Sequence, residues 1–146
     1  MNQAIEDFVQ CKRIAVVGVS RSGKKFGNSI FKELKERGYQ VFIVHPEAQE
    51  IDGERCYPNL AALRGAVDGA LICVQPQQAA QAAREAVEAG ITRIWFQQGA
   101  DSSEARAAAQ APGVSVISGM CILMYAQPVR SIHGWHRTFA RLTGQL

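Results

Sequence analysis

Apolar positions in this chain fall into short unbroken runs, and the stretches between them carry a helical period. The runs are "RIAVVG", "YQVFIVHP", "GALICVQP", "TRIWFQQG" and "VSVISG". The first two are almost uninterrupted, the pattern of strands buried on both faces. Residues 27–37 set Ile30, Phe31 and Leu34 on one helical face and end at Gly38, suited to a helix C-terminus. Residues 77–89 carry an Ala79, Ala83, Val87 stripe and end at Gly90. "DSSEARAAAQA" opens with Asp101 and Glu104 at capping-box spacing. An N-terminal helix with Ile5, Phe8 and Val9 is expected on the sheet edge. The connection "EAQEIDGERCYPNLAALRGAVD" predicts a turn and one short helix around Leu60 and Leu63.

Strands alternating with helices specify a parallel sheet with right-handed crossovers. The expected fold is α/β: a Rossmann-like, doubly wound parallel five-stranded sheet with helices on both faces, a single domain over residues 1–146. Near the C-terminus Ile132, Trp135, Phe139 and Leu142 recur at helical spacing beside Arg130, Arg137 and Arg141, so an amphipathic helix is expected over about 129–143.

Composition narrows the class. With 146 residues, 47% hydrophobic and 20% charged, the chain suits one globular domain with a sizeable core. No apolar run approaches the roughly 20 residues of a membrane helix. The start, "MNQAIEDFVQCKR", has acids and no apolar signal core, so a cytoplasmic protein is expected. Cys11, Cys56, Cys73 and Cys121 are scattered, which argues against a zinc ribbon or disulfide framework. A net charge of +3 suits an anionic small molecule and is too weak and dispersed for a nucleic-acid partner.

Candidate chemistry lies in the loop after the first run, because such sheets bind ligands beyond the strand carboxyl ends. Gly18 has no side chain to block a phosphate, Ser20 offers a hydroxyl, and Gly27 lets the next helix start close to a ligand. Unpaired N–H groups at that helix start favour an anion, Lys24 and Lys25 add charge, and Asn28 adds an amide. A mononucleotide P-loop is excluded, since Gly23 is at the wrong spacing and Lys25 stands where Ser or Thr is needed. NAD is disfavoured because the second run ends in His45-Pro46 with no carboxylate for the ribose; NADP is less clearly excluded.

The segments "AVVGVSRSGKKFGNSIFKELKERGYQVFIVHP", "IDGERCYPNLAALRGAVDGALICVQP", "GITRIWFQQGA" and "GVSVISGMCILM" resemble, in order and spacing, the stand-alone CoA-binding domain proteins. These are bacterial relatives of the nucleotide-binding domain of the succinyl-CoA synthetase alpha subunit. The resemblance implies that Gly18, Val19, Ser20, Gly27 and Asn28 hold the pyrophosphate and that His45 and Pro46 border the adenosine. It further implies that Lys24 or Lys25 reaches a phosphate, including the ribose 3′-phosphate. Val74, Gln75 and Pro76 would pack along the adenine or the start of the pantetheine arm, and Gln98 and Gly99 would line the other side, near a switch point between the first and fourth strands. His45 departs from the Asn that many members carry there, and Phe26-Gly27 from a common Pro-Ser pair, although a K-F-G-N variant also belongs to the family.

The expected function is therefore binding of CoA or an acyl-CoA, with no catalytic or metal-binding residue assigned. The synthetases use a histidine on a further domain, which these residues do not replace. His133 and His136, three apart, lack a third metal ligand. Three alternatives stay open: an NADP-dependent oxidoreductase, an acyl-CoA-handling transferase using Cys121, and a ligand-gated interaction protein. In the last, the C-terminal helix would contact a homodimer mate or another protein partner.

Overall fold

One sheet of seven strands, in the order β3-β4-β2-β1-β5-β6-β7, organises the computed structural model, which describes residues 3–23 and 25–126. Lys24 and the expected helix over 129–143, with His133, Trp135 and His136, lie outside the described residues. The strands are β1 (Arg13–Val17), β2 (Gln40–Val44), β3 (Glu50–Ile51), β4 (Glu54–Tyr57), β5 (Gly69–Ile72), β6 (Arg93–Gln97) and β7 (Ser115–Met120). All neighbouring pairs are parallel except β3 with β4.

The expected five-stranded sheet is corrected to seven. The additional pair is a hairpin, Glu50-Ile51 returning as Glu54-Arg55, turned by Asp52 at φ 53° and Gly53 at φ 80°. Two consecutive positive φ values are what a tight two-residue hairpin demands, and Asp-Gly supplies them at low cost. β4 then lies parallel to β2 as the outer parallel strand. The only short helix between β4 and β5 is the 3₁₀ turn Leu60–Leu63, capped by Asn59, whose side chain accepts from the Ala62 N–H at 3.0 Å.

The helices are α1 (Gln3–Val9), α2 (Phe26–Glu36), α3 (Pro76–Glu88) and α4 (Ser103–Ala108). Alternation along the strands divides the core in two. Ile14 and Val16 of β1, Leu71 of β5 and Trp95 of β6 face α1 and α2. Ala15, Ala70, Ile72, Ile94 and Phe96 face the opposite way, toward α3 and α4. The N-terminal helix covers a face rather than the edge: the Phe8 ring meets Trp95 edge-on at 5.3 Å and lies against Gly69. Helix α4 is capped by Ser102, whose hydroxyl accepts from the Ala105 N–H at 3.0 Å. Asp101, the expected cap, instead pairs with Arg106 at 2.7 Å. At the far end of α2, Arg37 donates to the carbonyls of Leu123 (3.1 Å) and Ala126 (2.7 Å), pinning the chain after β7.

Candidate functional site

Strand order reverses between β1 and β5, because β1 leads by way of α2 to β2 on one side while β5 lies on the other. The sequence placed this switch point between β1 and the run that becomes β6; β5 intervenes. A cavity of about 510 Å³ opens beyond the carboxyl ends of β1, β5 and β6. Its walls include Gly18, Lys25, Phe26 and Gly27 from the first loop and helix start, Val74, Gln75 and Pro76 after β5, and Gln97, Gln98 and Gly99 after β6.

Three backbones cross closely at the mouth. Gly18 has φ 118°, and a methyl group there would lie 2.4 Å from the Cys73 carbonyl oxygen. A methyl at Gly27 would lie 2.3 Å from the Gly18 carbonyl oxygen. The two glycines therefore let α2 begin against the end of β1, and β1 end against β5. Asn28 is only 1% exposed, and its amide is already engaged: Oδ1 accepts from the Ser20 N–H and Nδ2 donates to the Ser20 carbonyl, each at 2.9 Å. It shapes the loop. The Ser20 hydroxyl lies 3.0 Å from that of Ser22 and accepts from the Ser22 N–H. Val19 is buried in the core.

Both α2 and α3 start at this cavity. Lys25 precedes α2 and Gln75 precedes α3, and neither uses its side chain as a cap. Pro76 at the first position of α3 has no N–H, so one of the usual orphan donors is absent there. Asn28 and Gln78 already donate to the Lys25 and Gln75 carbonyls, which leaves the N–H groups of Phe26, Gly27 and Gln77 to give the rim a positive potential.

His45 and Pro46 belong to a second cavity of about 630 Å³, on the other side of β1, shared with Glu47, Glu50 and Arg55. The His45 Nδ1 accepts from the backbone N–H groups of Glu47 (3.1 Å) and Ala48 (2.9 Å). An Asn side-chain oxygen makes the same kind of turn. Thus the structure brings together Gly18, Lys25, Gly27, Val74, Gln75, Pro76, Gln98 and Gly99. His45 and Pro46 lie apart from them, and Val19, Ser20 and Asn28 are supporting residues lining neither cavity.

Sequence reasoning passed over Gln97. It is 2% exposed, with its Oε1 accepting from the Ile122 N–H at 3.0 Å and its Nε2 without a partner. The available signal was a glutamine at an inward position of the buried strand RIWFQ. The pairing of β6 with β7 shifts between Trp95 and Gln97, from Ile117 to Met120, which brings the Ile122 N–H to Gln97. Cys73 also lines the cavity, and burial pushes its thiol up to about 12, with Cys121 nearby pushing the same way. A thiol so raised is protonated at neutral pH and a poor nucleophile.

An open, mostly parallel sheet with its cavity where strand order reverses defines a Rossmann-type ligand-binding domain. The family profile described as a CoA binding domain matches residues 12–127, and the chain belongs to that family. It is 30% identical over 111 residues to uncharacterized protein YneT of Bacillus subtilis (strain 168), a match spanning 76% of this chain and 82% of that one. It is 34% identical over 91 residues to the alpha subunit of an ADP-forming acetate–CoA ligase II from Pyrococcus furiosus, spanning 62% of this chain and 20% of that subunit. Among solved structures, a conserved hypothetical protein from Pyrococcus furiosus superposes with a TM-score of 0.72 at 41% identity, covering 77% of this chain and 97% of that one. Among the described residues no helix is long and apolar enough to cross a membrane.

Proposed function

We propose that this chain binds CoA or an acyl-CoA as a carrier or sensor and catalyses no reaction itself. The observation that carries the reading is the convergence of two helix N-termini, α2 and α3, on one cavity at the strand-order reversal. Unpaired N–H groups at such ends attract phosphate, and Lys25 at the start of α2 adds a full charge. Membership of a CoA-binding domain family supports the choice among phosphate-bearing ligands. In this reading the pyrophosphate lies at the Gly18–Gly27 crossing and Val74, Gln75, Pro76, Gln98 and Gly99 line the rest of the ligand's course. His45 and Pro46 border the adenosine, and Lys24 or Lys25 meets a phosphate. The reading places the protein in the cytoplasm, which suits its scattered cysteines.

Thermal melts with CoA, acetyl-CoA, dephospho-CoA and NADP, each in excess, test this. A ligand at 100 times its dissociation constant adds about 2.7 kcal/mol of stability. The expected result is a clear upward shift with CoA that shrinks with dephospho-CoA, since the 3′-phosphate loses its basic contact. A shift with NADP alone overturns the reading in favour of a redox enzyme.

A further inference from the structure

The sheet ends in two unlike edges. On one side the outermost strand is β3, only Glu50–Ile51, folded back on β4 and flanked by charge: Lys35 pairs with Glu54, and Lys32 with Asp52 at 3.9 Å. A short, charged edge of this kind discourages a further strand from adding to it. On the other side lies β7, six residues long and uncharged. Between Arg106 and Arg130 the sequence has no Asp, Glu, Lys or Arg at all.

The hydrogen-bond pattern shows which groups of this edge are left over. Ser115 donates to the Thr92 carbonyl, and alternate residues of a parallel ladder turn their backbone groups to opposite sides. The Val116 N–H and C=O therefore point away from β6, and the N–H meets no acceptor among the described residues. Val114, Ser115, Val116 and Ser118 are half-buried, so the strand is neither sealed under the helices nor wholly exposed. The shift in its pairing with β6 comes after Ile117, and the stretch centred on Val116 stays regular.

We propose that β7 is a self-association edge, on which a second copy of this chain adds its own β7 antiparallel about a two-fold axis at Val116. Each Val116 N–H then donates to the Val116 carbonyl oxygen of the other copy, and Val114 of one copy lies opposite Ser118 of the other. Charge favours this occupant over an unrelated strand. A two-fold axis sets residues near it against themselves or their close neighbours, so a charge there would meet its own sign, and this stretch carries none. The β-branched Val114, Val116 and Ile117 suit the added pairing. With the β3 edge blunted, growth stops at two copies instead of continuing as a fibre.

Sedimentation of the full chain from micromolar to near-millimolar concentration should show a monomer–dimer equilibrium. Val116→Lys and Val116→Glu each set like charges opposite one another and should weaken the dimer by about tenfold or more, while an equal mixture of the two restores it. In the wild type, exchange of the Val116 amide hydrogen should slow as concentration rises, because only the second copy covers it. Wild-type protein that stays monomeric throughout overturns the inference, as does a dimer that both variants leave intact or a Val116 amide indifferent to concentration. So does a mixture that remains monomeric when each variant alone melts like the wild type. If the variants fold poorly, the wild-type exchange decides.

Discussion

A single methyl group is enough to disturb the mouth of the cavity. At Gly27 it would meet the Gly18 carbonyl oxygen at 2.3 Å, and that atom belongs to backbone held between β1 and β5. Gly27→Ala is therefore expected to cost about 1–3 kcal/mol through displaced backbone, seen as a lower denaturation midpoint, and to weaken ligand binding with it. His45 offers a contrast, since its contribution is a single acceptor atom. His45→Asn should preserve the turn and melt close to the wild type. His45→Leu leaves the Glu47 and Ala48 N–H groups without their acceptor and should lose about 1–2 kcal/mol. An equal loss in both variants would show that the ring's packing, not its nitrogen, matters there.

At the scale of elements, apolar strand runs announced themselves in the sequence: β1, β2, β5 and β6 lie within the expected runs, and β7 overruns its own by one residue, Met120. The β3–β4 hairpin did not, because Glu50, Glu54 and Arg55 belong to an edge with a wet side and interrupt any apolar run. Asp52-Gly53 was the legible sign, and only the shortness of its flanks hid it. The site was legible in the same uneven way. Loop glycines follow from local chemistry, and Gln97 could be read as a glutamine in a buried strand, but its partner, the Ile122 N–H, is brought to it only by the register shift of β7. Tertiary ties between elements also stay hidden. Asp68, before β5, accepts from the Arg13 guanidinium at 2.8 Å and from the backbone N–H groups of Lys12 and Arg13, joining the starts of β1 and β5. The hydrogen bond from Arg13 is the main cause of a carboxyl held below its ordinary value of 3.8. A depressed folded-state value means stability that is fully present above the ordinary value and lost as pH falls through the depressed one. Asp68→Asn should accordingly melt lower than the wild type at pH 7, with the gap closing in acid below about pH 4. A gap independent of pH would refute the linkage.

The described residues form two cores, one on each face of the sheet, and Cys11, Cys56 and Cys73 all belong to or pack against the one that faces α1 and α2. Cys11 is buried with its thiol pushed up to about 11, and Cys73 is pushed up to about 12, chiefly by burial in both cases. Cys56 is raised in the same way. At neutral pH the Cys73 thiolate is therefore far rarer than that of an ordinary thiol. A thiol-reactive chromophore should therefore label at most Cys121 rapidly in the native protein and all four cysteines after denaturation. Fast labelling of two or more in the native state would mean that this core opens readily.

The crossing of Gly18, Gly27 and Cys73 also divides the site into what can be redesigned and what cannot. The crossing is made of main chain, so no choice of side chain improves it and nearly any choice at its glycines breaks it. Around it stand Phe26, 58% exposed, with Gln78 and Gln98, whose side chains hold up nothing else at the mouth. An engineer seeking a new ligand would keep the crossing as a fixed chassis and vary that rim, where the cost of a wrong letter is affinity and not the fold.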